Sequence, residues 1–180
     1  INKHFYNRNS HDFHNLYNCF LCHKNHRCYR LFQTFCRNHI FCVIDMDTKD
    51  VEPERTQYQK LKAKYAKPIN KPKKGIYCNV EFFETHRCTE LFFLYYFRYT
   101  SRSYEDQESL LKDLNKSVEY RKAIDFFIKS KGLHNYFERN GGSLKTASVN
   151  ANRSMEDKLV NGREYTYSEI GSLIERLDDF

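Results

Sequence analysis

Residues 77 to 97 read YCNVEFFETHRCTELFFLYYF, and the fold turns on whether they form helix or strand. Val80, Phe83, Leu91, Leu94 and Tyr95, with Phe82, Phe92 and Phe93 beside them, make an apolar face too wide for one groove on a helical reading. A helix with such a face is buried on more than one side or meets a partner chain, and a core helix is the commoner case. The pattern predicts helix from Tyr77 onward and a helical core over residues 77–140.

Beyond this stretch, residues 98–102 are a polar break. Asp106, or Ser103 with Asp106, starts the next helix. Leu110, Leu111, Leu114, Val118, Ile124, Phe127 and Ile128 carry it as one amphipathic helix to Gly132, with Lys129 and Lys131 where positive charge suits the helix dipole. Residues 133–139 add a short turn that Gly141-Gly142 stops. Residues 141–152, GGSLKTASVNAN, are small and polar, and residues 141–165 read as a flexible loop. Their GG-x-x-KT lacks the phosphate-loop spacing and a preceding apolar strand, so no nucleotide site is expected there. Thr166 and Glu169 have capping-box spacing. They precede an apolar stripe of Tyr167, Ile170, Leu173, Ile174 and Leu177, which predicts an amphipathic helix over 166–180.

On the amino-terminal side, residues 45–76 form a charged connector. Asp45, Asp47, Asp50, Glu52 and Glu54 surround Pro53, and seven lysines follow without an acid: Lys60, Lys62, Lys64, Lys67, Lys71, Lys73 and Lys74. Pro68 and Pro72 predict an extended path. Such an arm can follow a phosphate backbone, gaining affinity by counterion release, with Tyr58 and Tyr65 stacking on bases. A solvated linker explains the same charge run equally well.

Residues 1–44 make a Cys/His module. Residues 1–18 are a polar, aromatic lead-in whose His4, His11 and His14 read as surface residues. Residues 19–42, CFLCHKNHRCYRLFQTFCRNHIFC, hold five of the seven cysteines and three of the eight histidines. Cys19, Cys22, Cys36 and His39 give C-x2-C-x13-C-x2-H, a ligand pattern for one structural zinc ion. Cys42 can replace His39, and Cys28, His23 and His26 are further candidates. Two alternatives stay open: reduced cysteines in a helical core beside Leu31, Phe32, Phe35, Ile40 and Phe41, or disulfides, which an odd count leaves incomplete.

The C-x2-C-x13-C-x2-C spacing of the first nuclear-receptor finger is similar, but His39 stands at the fourth position and that family's following motif is absent. Cys78 to Cys88, CNVEFFETHRC, resembles one half of the twin Cys-x9-Cys hairpin of mitochondrial intermembrane-space proteins. The resemblance covers eleven residues and implies disulfide bonding of Cys78 and Cys88. No cysteine follows Cys88 to supply the second half.

The fold class expected is mainly α: the irregular module, the lysine-rich extended connector, and a domain of three to four helices. Fifteen Phe and fourteen Tyr among 180 residues can fill a small core. The net charge of +7 divides into +10 over residues 1–150 and −3 over residues 151–180, which suits docking on an anionic surface. The longest apolar run, residues 91–97, is far short of the ~20 residues that span a bilayer. Removal of an organellar leader or trimming of the chain accounts for Ile at position 1.

Cys88 near His86 lacks a nucleophile signature, His134 stands alone, and neither H-E-x-x-H nor a glycine-rich cofactor loop is present. A non-catalytic role is therefore expected. The chain reads as a structural or accessory subunit of a large assembly, an organellar ribonucleoprotein, with the lysine arm on RNA and other protein subunits around it. The alternative is an accessory protein-docking subunit of a mitochondrial membrane complex of respiratory type, with structural or disulfide-bonded cysteines. A mitochondrial location is favoured.

Overall fold

The computed structural model describes residues 31–32, 39–74 and 76–178. The expected helix from Tyr77 is instead a strand followed by a helix, so the fold is mixed α/β. Strand β2 (His39–Asp45) and strand β4 (Ile76–Thr85) lie parallel, in register from His39 beside Asn79 to Asp45 beside Thr85. The two-residue β1 (Leu31–Phe32) pairs antiparallel with β2, and β3 (Ile69–Lys71) pairs antiparallel with β4. The sheet order is β1-β2-β4-β3.

The physical reason is two-residue alternation, which places successive side chains on opposite faces. From β2, Cys42 and Ile44 pack with Met46, Tyr58, Val80 and Phe82 on one face. Phe41 and Val43 pack with Phe83, Leu173 and Leu177 on the other. Parallel strands need a crossover, and helix α1 (Glu54–Lys64) supplies it. Its one buried residue, Tyr58, meets Phe82 edge-on at 6.1 Å. Helix α7 (Ile170–Asp178) covers the opposite face, where Arg176 Nε lies 3.5 Å from Glu81 Oε2.

The charged connector is therefore ordered structure. Residues 45–76 supply the end of β2, α1, β3, the 3-10 turn Pro72–Lys74 and the first residue of β4. Proline at 68 and 72 bounds a short edge strand, a position that tolerates it.

Helix α2 (Glu90–Tyr95) is buried at every residue. It is the axis of the main core, with Phe93 close to Tyr120 and Phe137, and Leu110, Leu114, Leu133 and Ala151 packed around it. The long helix expected from Leu110 to Ile128 divides into α3 (Gln107–Leu114) and α4 (Ile124–Ser130). Asp106 caps α3 by accepting from the Ser109 N–H at 2.7 Å. Ile124 and Ile128 are exposed, so they are not core residues of a continuous stripe. Helix α5 (Leu133–Arg139) follows.

The expected flexible loop over 141–165 is mostly helix α6 (Leu144–Asn161), capped by Ser143 and ended at left-handed Gly162. Its small residues serve close packing. Ala147, Ala151 and Ser154 are fully buried, and a Cβ on Gly171 of α7 would lie 3.0 Å from Ala151 Cβ. The predicted capping box does not form. Thr166 donates to the Arg102 carbonyl, and Glu169 accepts from the Glu84 N–H.

Candidate metal and nucleic-acid site

Ligand sites on α/β sheets gather at the carboxyl ends of parallel strands, where the connecting loops diverge. Here β2 ends at Asp45, and Met46 extends the ladder by donating its N–H to the Thr85 carbonyl at 3.0 Å. Exposed Asp47 opens the turn that follows. Strand β4 ends at Thr85. His86, Arg87 (φ +41°), Cys88 and Thr89 then lead into Glu90, the first residue of α2. The Thr89 N–H donates to Asp45 Oδ1 at 2.8 Å, tying the two strand ends together.

Glu90 is 1% exposed. Its Oε1 accepts from Lys122 Nζ at 3.0 Å and the Tyr120 hydroxyl at 3.2 Å, and its Oε2 accepts from Gln107 Nε2 at 3.1 Å. Burial opposes its charge, but Lys122, with the Cys88 thiol and a backbone N–H, holds its pKa below the ordinary carboxylate value. Asp45 is the opposite case. Burial first, then the charge of Glu90, raises it to about 7, with Asp47 adding to the rise and Lys122 and the Thr89 N–H resisting it. Near neutral pH Glu90 is thus ionised, while Asp45 is poised close to half protonation. Burial also keeps His86 below the ordinary imidazole value, despite Asp50 Oδ2 at 3.7 Å from its Nε2.

The donor set consists of hard oxygens, suited to Mg2+ or Mn2+ rather than to zinc. Among the described residues no three His, Cys, Asp or Glu side chains converge as a ready-made metal cage. Magnesium sites seldom need one. They use one or two carboxylates and fill the remaining positions with water and substrate phosphate. Asp45 and Asp47 fit that requirement, and a cation beside them would relieve the crowding that raises Asp45.

A second buried carboxylate, Glu84, holds the layers together. Its Oε1 accepts from the Tyr58 hydroxyl at 2.8 Å and Lys62 Nζ at 2.6 Å, and its Oε2 from the Tyr167 hydroxyl at 3.1 Å. Lys62 is therefore committed internally. Lys60, Lys64, Lys67, Lys71 and Lys73 stand exposed on α1, on β3, on the turn between them and on the 3-10 turn after β3. The backbone of Lys74 belongs to the 3-10 turn.

Of the zinc set, Cys19, Cys22 and Cys36 lie outside the described residues, as do Cys28, His23 and His26. His39 opens β2, with Nδ1 3.1 Å from Glu81 Oε1 and Nε2 3.4 Å from Asn79 Nδ2. Cys42 is buried in the sheet core, and burial raises its thiol to about 11. Cys78 and Cys88 are not brought together. They flank most of the extended length of β4 and both carry free thiols.

Asp45, Asp47 and Glu90 do not stand out as site residues in the sequence. The available signal was the apolar run of residues 40–44 ending in D-x-D, a strand that delivers acids to its carboxyl end.

Fold and site define the class: a sheet with a parallel central pair, covered by helices on both faces, with carboxylates at the parallel strand ends. The chain belongs to the RloB-like protein family, whose family model matches residues 27–177. No curated protein and no solved structure matches it.

Proposed function

We propose that this protein is a divalent-cation-dependent enzyme that cleaves phosphodiester bonds in nucleic acid. The observation that carries the proposal is the Asp45-x-Asp47 pair at the carboxyl end of β2, backed by buried Glu90. Asp45 and Asp47 would hold the cation, which would supply Lewis acidity and a water of lowered pKa. Glu90, anchored by Lys122, Tyr120 and Gln107, keeps the Thr89 turn placed under Asp45. The exposed lysines of α1 and β3 attract the phosphate backbone.

A second reading draws on those lysines alone. It is the non-catalytic RNA-docking subunit of an assembly, with no chemistry at Asp45. One experiment separates the two. Single-stranded and duplex RNA and DNA are incubated with the protein and Mg2+ or Mn2+, against a chelator control. The enzyme reading expects cation-dependent cleavage that falls by roughly a hundredfold or more in Asp47→Asn, a substitution at an exposed side chain that leaves the fold intact. Binding without cleavage, unchanged by Asp47→Asn, overturns the enzyme reading and favours the docking subunit.

A further inference from the structure

A cavity of about 370 Å3, open to the surface as a cleft, lies among α4, α5 and the segment before α4. The rings of Phe126 and Tyr136 wall it, 5.3 Å apart and at 83° to each other. The Tyr136 hydroxyl donates to the Glu119 carbonyl at 2.8 Å, which fixes that ring. Three cations line the same cavity: Arg121, Lys129 and Arg139. Arg139 is held in place by donating to the Ser130 carbonyl at 2.9 Å and the Asn135 carbonyl at 3.2 Å.

Arg121 and Lys129 are held more loosely. Arg121 lies 3.6 Å from Asp125 and 3.8 Å from Glu119, and Lys129 lies 3.9 Å from Asp125. These ion pairs are long and exposed, so they are weak and exchangeable for a phosphate. The Arg121 guanidinium also lies over the Phe126 ring at 6.0 Å.

The cavity shares a wall with the carboxylate site. Glu119 and Arg121 line the cavity, while Tyr120 and Lys122 reach Glu90. Alternate residues of one non-helical segment thus face the two sites. Rings beside cations are what an unpaired nucleotide needs, a stacking surface for the base and charge for the phosphate.

We propose that this cavity holds one unpaired nucleotide unit, with the base against the half-buried Tyr136 ring, which the buried Phe126 ring backs edge-on, and the phosphate at Arg121 and Lys129. As a strand-holding subsite it rests on the nucleic-acid-cleaving reading of the Asp45 site.

The test uses the full chain in chelator, so that binding is read without cleavage. A short labelled single-stranded oligonucleotide is titrated by fluorescence anisotropy against wild type, Arg121→Gln/Lys129→Gln, and Lys112→Gln as an exposed control on α3. The double variant is expected to bind about tenfold more weakly at unchanged melting temperature, and the control to bind like wild type. An abasic strand is expected to bind wild type about tenfold more weakly. Displacement by adenosine monophosphate shows that a free nucleotide enters the cavity. Retained binding without displacement shows that a strand alone enters. Both support the site. A double variant that binds like wild type, or wild type indifferent to the abasic strand, overturns it. Cleavage is read separately with cation. Cleavage with an unaffected double variant rejects the cavity alone, and weakened binding without any cleavage rejects the chemistry alone.

Discussion

The Asp45 carboxyl sits where burial, Glu90 and Asp47 oppose its charge and only Lys122 and the Thr89 N–H favour it. Its folded-state value, about 7, lies above its ordinary value of 3.8. Between those values the folded protein holds a proton that the unfolded chain has released. This contribution to stability is therefore present at low pH and is lost as pH rises through 7. Asp45→Asn is expected to stabilise the protein at pH 8 by about 1–3 kcal/mol and much less at pH 4, as read from urea unfolding at the two values. Mg2+ near a hundred times its dissociation constant is expected to stabilise wild type by about 2.7 kcal/mol. Asp45→Asn should show little of that gain. Equal cation effects in both proteins would remove Asp45 from the site. None of this was visible in the residue string. Asp45 read as one of five acids around Pro53, because spacing along a chain does not reveal that Glu90 folds back beside it.

At the scale of elements, the decisive ambiguity lay in residues 77–97. Phe82, Phe83 and Leu91 to Tyr96 satisfy a helical period on paper, but the stretch contains two periods joined at a turn. In β4, Val80 and Phe82 pack on one face of the sheet and Phe83 on the other, and α2 is then buried at every residue. A wide apolar face is ambiguous between one fully buried helix and a strand that runs into one. Helix α6 shows the reverse error. Its Ala, Ser and Asn content suggests a loop, yet small residues are what let α6 and α7 approach. A Cβ at Gly171 would meet Asn152 Oδ1 at 2.6 Å and the Ser148 carbonyl at 3.0 Å. Backbone cannot yield as a side chain can, so Gly171→Ala is expected to cost about 1–3 kcal/mol. Thermal unfolding tests this, and a neutral result would mean that α7 shifts freely on α6. The cap of α3 at Asp106 was legible because capping chemistry is local.

For the whole molecule, the exposed lysines form the surface that should answer most strongly to salt by simple electrostatics. Replacing Lys60, Lys64, Lys67, Lys71 and Lys73 by Gln is expected to weaken RNA binding. It should also flatten the plot of log affinity against log salt by about 0.7 for each phosphate that is no longer neutralised. Lys62 is left unchanged because it serves Glu84. An unchanged slope would place the polyanion elsewhere. Among the described residues no helix is long and apolar enough to cross a membrane, in keeping with the short apolar run seen in the sequence. Composition, net charge, the lysine cluster, the helix cap and the final amphipathic helix follow from the chain itself, since each depends on residue type or near-neighbour spacing. The parallel pairing of β2 with β4, the meeting of Asp45 with Glu90, and the internal use of Lys62 were decided only by the tertiary fold. Each joins residues more than twenty positions apart, and the burial that sets their energies exists only once the layers have closed.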